Sequence, residues 1–155
     1  MPFVFLNETS DVVEVKKSLL PNAGKGLFAK KKIKRGEFIA WYTGVYVDAG
    51  SVDNDYYDSD YIWGITNSGL YIDAADPKSC LGRYINDSLS LGLSNCKLKS
   101  YENTYSAGIV ATKAIPKGAE VYATYGPVYW NEPKRFRKLN KDDKQFIRDA
   151  TASIP

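Results

Sequence analysis

The feature that most constrains the fold is a segment that occurs twice, far apart in the chain. Residues 26–36, GLFAKKKIKRG, resemble residues 108–118, GIVATKAIPKG. Each copy continues through an apolar stretch to a tyrosine close to a glycine, Tyr42 in the first copy and Tyr125 in the second. Copies so far apart do not build a solenoid, whose repeats adjoin. The pattern predicts one strand–turn–strand unit used twice in a pseudo-symmetric β fold, with the two tyrosines near one another.

Short β-type segments separated by turn residues fill most of the chain. They predict strands at 12–16, 27–29, 38–42, 61–65, 70–73, 107–111 and 120–125. Residues 79–85 predict a short helix or 3₁₀ turn, and apolar residues at roughly helical spacing predict an amphipathic helix over 134–150. Because strands do not alternate with helices, a parallel α/β sheet is not expected. The sequence predicts a mainly β fold with one C-terminal helix.

Composition excludes several kinds of site. The chain has 155 residues, which suits one domain, and it contains two cysteines, Cys80 and Cys96, and no histidine. A tetrahedral structural zinc site takes four Cys or His ligands, so no metal site is expected. Histidine acid–base chemistry and Ser–His or Cys–His triads are excluded. Without a long apolar run or a secretory start, the protein is expected to be intracellular, with reduced thiols and no membrane partner.

Charge is distributed unevenly along the chain, although the net charge of +3 is too small to indicate a nucleic-acid binder. A basic run occupies residues 30–35, within a predicted turn. Solvated lysines are favoured there over a nuclear localisation signal or a DNA contact. Four aspartates and three tyrosines alternate over residues 53–61. A solvated loop is favoured for the acidic stretch 53–60, and a surface that attracts a basic peptide is the alternative.

Three further segments carry polar or glycine patterns typical of ligand sites. Residues 22–29, NAGKGLFA, place two glycines where a ligand can approach backbone amides. In residues 83–88, RYINDS, Asn86 can both donate and accept hydrogen bonds. Residues 120–130, EVYATYGPVYW, end on a tyrosine and a tryptophan. Each segment alone is better explained by local structure, namely a tight turn, an Asx turn and aromatic packing.

Together, in this order and spacing, these segments resemble the SET domain. That family has a Gly-x-Gly-[Leu/Tyr]-Phe-Ala opening, a Gly-Glu-x-Ile-x-x-Tyr-x-Gly strand, an Arg-[Phe/Tyr]-[Ile/Leu]-Asn-His-Ser block followed by Asn-Cys, and a closing Gly-Glu-Glu-Leu-x-x-x-Tyr-Gly with Tyr-Trp. The corresponding positions here are 24–29, 36–44, 83–88 with 95–96, and 118–126 with 129–130. The resemblance extends from about residue 12 to residue 130.

The resemblance implies the SET-domain β fold, which consists of small sheets with a pseudoknot-like C-terminal crossing. In this chain a C-terminal helix is added to that fold. It implies a single SET domain over 1–155, with a core at about 12–130 and a helical extension at about 131–155. The cofactor would enter on one face and the target lysine on the other, through a narrow channel. Trp130 and the C-terminal helix would close the site.

The cofactor that the resemblance implies is S-adenosylmethionine. The residues implied to bind it are Gly24, Lys25, Gly26, Arg83, Asn86, Asp87, Tyr125 and Trp130, with Trp130 flanking the adenine. Tyr125 would be the catalytic tyrosine, and Tyr42 would line the lysine channel. Since a tyrosine with a pKa of about 10 is a poor general base near neutral pH, Tyr125 is expected to position the reacting groups.

The implied activity is protein lysine methylation, with a basic lysine-containing segment such as a histone tail as substrate. A nuclear location is then favoured over a cytoplasmic one, with nucleic acid met only through chromatin. The family's usual histidine is Asp87 here, Ala123 stands where Phe or Tyr is common, and the zinc-binding cysteines that follow many SET domains are absent. Asp87 and the absence of those cysteines leave open a catalytically inactive SET-like module that binds a peptide or cofactor, although the PR-domain relatives, which have a similar Arg-Tyr-[Val/Ile]-Asn block, also lack the histidine. The number of methyl groups transferred and the oligomeric state stay open.

Overall fold

Short antiparallel strands make up most of the fold. The computed structural model describes residues 10–48, 50, 59–65, 68–101 and 104–155. In that part of the chain the strands form three three-stranded sheets, β1-β2-β9, β3-β8-β7 and β4-β6-β5. The strands are β1 Val13–Lys17, β2 Lys25–Ala29, β3 Phe38–Tyr42, β4 Val45–Asp48, β5 Ile62–Ile65, β6 Leu70–Asp73, β7 Cys96–Tyr101, β8 Ser106–Ala111 and β9 Glu120–Val121. The predicted mainly β class is confirmed.

The two repeat copies pair with each other. Strand β2 of the first copy pairs with β9 of the second, and β3 of the first pairs with β8 of the second. Between them, the amide of Ile33 donates to the carbonyl oxygen of Ile115 (2.9 Å), and the reverse bond is 2.8 Å. The amides of the closing glycines donate in the same reciprocal way, Gly36 to Ala111 (2.8 Å) and Gly118 to Ala29 (2.7 Å). The predicted pseudo-symmetric arrangement is therefore present.

After β9 the chain passes between two segments that come earlier in the sequence. Tyr122 forms a parallel bridge with Asn86, and Ala123 forms one with Cys96. The amide of Ala123 donates to the carbonyl oxygen of Asn86 (3.0 Å), and the amide of Cys96 donates to that of Tyr122 (3.1 Å). These bonds form the predicted C-terminal crossing. They also explain why β9 ends at Val121 and not at residue 125 as predicted, since the following residues pair with these two segments.

Two strands, β4 and β7, were not predicted from the sequence. Strand β4 follows β3 after a two-residue turn and pairs with β6. Strand β7 pairs along its whole length with β8, from Cys96 opposite Ala111 to Tyr101 opposite Ser106. Its alternation of Cys96, Leu98 and Ser100 with lysines was the available signal, since such alternation is typical of a half-buried strand.

The C-terminal region contains three helices, so the predicted C-terminal helix is present but does not run unbroken over 134–150. They are α1 Pro127–Trp130, α2 Pro133–Arg137 and α3 Lys141–Ala152. The break lies at Asn140, whose backbone is extended and whose side-chain oxygen accepts the amide hydrogen of Asp143 (2.8 Å). That bond is an N-cap, which starts a new helix and ends any continuation of the preceding one. Helix α3 buries Ile147 against the rest of the fold.

The apolar core lies between the sheets and includes residues from both repeat copies. Its largest fully buried side chains include Leu27, Ile33, Ile109, Ile115 and Val121. Two 3₁₀ turns, Gly82–Tyr84 and Leu89–Leu91, flank the predicted asparagine turn. The first of them lies within residues 79–85, where a short helix or 3₁₀ turn is predicted, and the second was not predicted. Within the described ranges no helix combines the length and the apolar character needed to span a bilayer.

Candidate active site

The glycine loop, the asparagine turn and the closing tyrosine meet at one place. The side-chain amide of Asn86 donates to the carbonyl oxygen of Lys25 (2.9 Å), which joins the turn to the start of β2. The hydroxyl of Tyr125 donates to the carbonyl oxygen of Ile85, the residue before Asn86. Three segments that are distant in the sequence are therefore joined by two side-chain hydrogen bonds.

The two glycines of the loop have different structural roles. Gly24 has a φ of +69°, and a Cβ built there would meet no atom within 4 Å, so open space lies beside it. A Cβ on Gly26 would approach a carboxylate oxygen of Glu120 to 2.6 Å. Gly24 therefore borders free volume where a ligand can approach. Gly26 is required for packing against Glu120.

Glu120 is a site residue that the sequence analysis did not single out. It is only 3% exposed, and its carboxylate accepts hydrogen bonds from the hydroxyl of Ser18 (2.7 Å) and the amide of Leu19 (2.7 Å). The side-chain amide of Asn86 lies 3.5 Å from the same carboxylate. A buried carboxylate needs such donors. The available signal was an acidic residue next to Val121 within an otherwise apolar strand.

A groove lies on both sides of Lys25. One cavity of about 440 Å³ is lined by Val15, Lys16, Lys17, Gly24 and Lys25. A second cavity of about 260 Å³ shares two of these residues and is also lined by Pro77, Lys78, Cys80, Leu81 and Tyr84. The larger volume lies in the range of roughly 300–1,000 Å³ that small-molecule sites occupy. Its lysines favour a ligand with an anionic group.

Arg83, predicted to bind the cofactor, contacts protein groups. Its Nε donates to the carbonyl oxygen of Ala74 (2.8 Å) and one terminal nitrogen donates to that of Ala75 (3.1 Å). Its guanidinium carbon lies 4.2 Å from the ring centroid of Tyr61 and 4.8 Å from that of Tyr84. The side chain thus connects the first 3₁₀ turn to the end of β6 and packs between two aromatic rings.

The carboxylate of Asp87 also faces protein donors. One oxygen accepts the amide hydrogen of Leu89 (2.8 Å). The other accepts the amide hydrogen of Tyr125 (3.0 Å) and the indole hydrogen of Trp130 (2.8 Å). Asp87 is 9% exposed. It lies beside the predicted catalytic tyrosine and beside the predicted adenine-flanking tryptophan.

Aromatic rings surround Tyr125. The ring of Trp130 lies 5.8 Å from it at an interplanar angle of 14°, and the ring of Tyr129 lies 4.9 Å away at 71°. Tyr42 is 8% exposed, and its hydroxyl donates to the carbonyl oxygen of Tyr61 (2.8 Å). Tyr42 and Tyr61 are both close enough to Tyr125 to affect its pKa. The repeat tyrosines, Tyr42 and Tyr125, therefore belong to one cluster, as the repeat predicted.

Burial keeps the hydroxyls of this cluster neutral. Burial raises the pKa of Tyr125 well above its ordinary value of 10.0, and the negative charges that Tyr129 and Asp87 can carry raise it further. Burial likewise raises the pKa of Tyr42 far above its ordinary value. The pKa of Tyr129 rises to about 12 for the same main reason. At physiological pH these hydroxyls stay protonated, so none of them acts as a phenolate base.

The remaining charged segments are only partly described. The lysines and Arg35 of the basic run 30–35 are exposed, as expected for solvated residues. Of the acidic stretch 53–60, residues 53–58 lie outside the described part of the chain. Asp60 forms an ion pair with Nε of Arg135 at 2.9 Å. No group of three or more His, Cys, Asp or Glu side chains in the described residues is arranged to hold a metal ion.

Known proteins resemble this chain in sequence and in fold. The SET domain family model matches residues 24–126. The histone-lysine N-methyltransferase EZH2 of Chaetomium thermophilum is 29% identical over 150 residues, which cover 90% of this chain and 10% of that protein. The N-lysine methyltransferase KMT5A-A of Xenopus laevis is 29% identical over 130 residues, covering 78% and 38% respectively.

A solved structure agrees with these matches. It is ctPRC2 in an autoinhibited conformation bound to S-adenosylmethionine, which superimposes with a TM-score of 0.63 at 30% identity. The alignment covers 82% of this chain and 16% of that chain. The chain therefore spans well under half of the length of each of these relatives.

Proposed function

The chain belongs to the SET-domain family, and from this premise we propose that it transfers a methyl group from S-adenosylmethionine to the side-chain amine of a protein lysine. One observation carries the proposal: the loop at Lys25, the turn at Asn86 and the hydroxyl of Tyr125 are joined by hydrogen bonds at one place. We assign the catalytic core to residues 12–130 and the helical extension to residues 131–155.

The residues around Lys25 suit the proposed cofactor. The groove offers open volume beside Gly24, and the ammonium of Lys25 suits the carboxylate of the cofactor's amino-acid part. The indole of Trp130 offers an aromatic face for the adenine. When bound, the cofactor would supply a methyl carbon on a positively charged sulfur. The amine nitrogen would form a bond to this carbon as the carbon–sulfur bond breaks, and the electron pair of the broken bond would stay on sulfur.

Tyr125 orients the reacting groups in this proposal. Its hydroxyl hydrogen is donated to the carbonyl oxygen of Ile85, so the oxygen is held in a fixed position. With its pKa raised by burial, the hydroxyl stays neutral and does not abstract the proton of the lysine. That proton leaves to water before transfer. Orientation of this kind can supply several kcal/mol of the barrier, with roughly 7–11 kcal/mol in favourable intramolecular cases.

The tyrosine cluster suits the lysine side of the reaction. Tyr42, Tyr61, Tyr125 and Tyr129 bring aromatic rings together next to the predicted catalytic hydroxyl. Such walls exclude water from an entering lysine, which lowers its pKa and favours the neutral amine. They also bind the methylated cation through cation–π contacts. We propose that Tyr42 lines this channel.

The substrate proposal is a basic, lysine-containing segment, with histone tails as the first candidates and the nucleus as the location. It is supported by the relatives, which are named as a histone-lysine and an N-lysine methyltransferase. A catalytically inactive module that binds cofactor or peptide is the second candidate, motivated by Asp87 in place of the family's histidine.

The test is incubation of the purified chain with methyl-labelled S-adenosylmethionine and a panel of histones and mixed cellular proteins. We expect label on lysine, and we expect Tyr125→Phe to lower kcat by roughly 10²–10³-fold, the range for loss of one preorganised polar group beside the reacting atoms. Tyr105→Phe is the matched control, because Tyr105 is an exposed tyrosine outside the cluster. Equal labelling by Tyr125→Phe and the wild type would remove the proposed role. Calorimetric binding of the cofactor without any transfer would favour the inactive module.

A further inference from the structure

The carboxylate of Asp87 connects two parts of the proposed site. Its Oδ2 accepts hydrogen bonds from the backbone of Tyr125 (3.0 Å) and from the indole of Trp130 (2.8 Å). Tyr125 lies in the segment after β9, and Trp130 is the last residue of α1. A single oxygen atom therefore holds the tyrosine segment and the tryptophan ring together.

The local structure fixes the carboxylate in this orientation. Its Oδ1 accepts the amide hydrogen of Leu89 (2.8 Å), and Leu89 has a φ of +50°. The next residue, Ser90, donates its amide hydrogen to Asp143 of α3 (3.0 Å). The 3₁₀ turn Leu89–Leu91 is therefore held from both sides, and the carboxylate cannot rotate without breaking a bond.

A carboxylate suits this position because it has only acceptors. Three N–H groups point at Asp87, and its side chain is 9% exposed. An asparagine would turn an NH₂ group toward at least one of these donors. A neutral imidazole has a single acceptor nitrogen and cannot serve all three. Charge-assisted bonds of this kind are roughly twice as strong as neutral ones.

We infer that Asp87 is a positioning residue that sets the angle between the indole of Trp130 and the ring of Tyr125, and thereby forms one wall of the cofactor site before the cofactor binds. The inference rests on the proposed function for its effect on methyl transfer, but the hydrogen bonds themselves do not depend on it. The indole of Trp130 lies nearly parallel to the ring of Tyr125, at 14°, while its N–H is bonded to this oxygen atom.

The first test reads the hydrogen bond directly, in the protein without cofactor. The chain has three tryptophans, so a ¹H–¹⁵N spectrum contains three indole signals, and Trp130→Phe identifies the one from Trp130. In Asp87→Ala we expect this signal to shift upfield and its hydrogen to exchange with solvent faster. Asp149→Asn, which removes a carboxylate from the exposed side of α3, should leave the signal unchanged. An unshifted Trp130 signal in Asp87→Ala overturns the inference.

Asp87→Asn keeps the volume of the side chain, so it serves if Asp87→Ala does not fold. We expect it to produce a smaller shift of the same indole signal, because one acceptor becomes a donor. If neither the position of the Trp130 indole signal nor the exchange rate of its hydrogen changes in this variant, the inference is also contradicted.

The second test uses a double-mutant cycle on cofactor binding and transfer. Asp87→Ala and Trp130→Phe should each weaken binding of S-adenosylmethionine by roughly tenfold to a hundredfold, the range for loss of a hydrogen bond to a charged group. Since both substitutions remove the same hydrogen bond, the double variant should bind S-adenosylmethionine no worse than the single variant with the lower affinity. Fully additive losses would refute the shared role. Tyr125→Phe should instead lower kcat, which separates positioning of the tryptophan from positioning of the methyl group.

Failure of the inference and failure of the proposed function give different results. A wild-type protein that neither binds S-adenosylmethionine nor transfers a methyl group contradicts the proposed function, while the indole signal still decides the role of Asp87. An active wild type with an unchanged indole signal in Asp87→Ala contradicts only the inference.

Discussion

The hydroxyl of Tyr125 donates a hydrogen bond to the carbonyl oxygen of Ile85, although 40 residues separate the two in the chain. This bond is possible because the segment after β9 passes beside Asn86, where Ala123 donates to its backbone. The crossing therefore brings the hydroxyl of Tyr125 to the turn at Asn86, which also contacts the glycine loop. Four predictions follow from this arrangement and from the packing around it.

The rate of methyl transfer should rise with pH between about 7 and about 9. More of the substrate lysine, with an ordinary pKa of about 10.4, is neutral at the higher pH. The pKa of Tyr125 is raised well above 10.0, so the tyrosine stays protonated throughout this range and produces no fall in rate. A pH profile of kcat checks this, with the residual activity of Tyr125→Phe as the control. A descending limb below pH 10 that disappears in the variant would contradict it.

Glu120→Gln should lower the free energy of unfolding by about 1–3 kcal/mol. The substitution turns an NH₂ group toward Ser18, Leu19 or Asn86, all of which donate to this buried carboxylate. Urea denaturation measures the change. Glu37→Gln is the matched control on an exposed glutamate and should change stability by less than about 0.5 kcal/mol. Equal stabilities for the two variants would show that the buried bonds contribute little.

We expect the same loss of stability from Gly36→Ala and Gly118→Ala. Each should lower the free energy of unfolding by about 1–2 kcal/mol. The two glycines occupy equivalent positions in the repeat, with φ of +85° and +86°, and a Cβ on either would meet no atom within 4 Å. The cost is therefore backbone strain alone, without a steric clash. Thermal or urea unfolding of both variants tests the equivalence, with Lys117→Ala in the same turn as the control. A clear difference between the two glycine variants would contradict the pseudo-symmetry of the turns.

Ile147→Ala should lower the free energy of unfolding by about 2–5 kcal/mol, because it leaves a cavity where α3 packs against α1 and the 3₁₀ turn Leu89–Leu91. Ile154→Ala is the control, since Ile154 is 53% exposed and its loss should cost less than about 0.5 kcal/mol. Urea unfolding again gives the measurement. If Ile147→Ala is as stable as the wild type, α3 does not contribute to the cooperative unit.

Much of the site was predictable because its signals are patterns along the chain. The repeat predicted that β2, β3, β8 and β9 belong to two equivalent units, since glycine and apolar residues at matching positions impose the same turn. The asparagine turn and the closing tyrosine were recognisable only from their order and spacing along the chain, since each segment alone is better explained by local structure. The C-terminal helix was predicted to begin too early because the apolar spacing continues through Asn140. The side chain of Asn140 caps a new helix and so prevents one continuous helix.

Three features were decided by the tertiary structure alone. Gly26 lies against Glu120, Arg83 donates to the backbone carbonyl oxygens of Ala74 and Ala75, and Asp87 accepts hydrogen bonds from Tyr125 and Trp130. The sequence by itself determined which residue types are available, and with them the strand units and the turn at Asn86. Which donor meets which acceptor depends on how distant segments pack, because a hydrogen bond requires atoms within about 3 Å and sequence patterns carry no such distance.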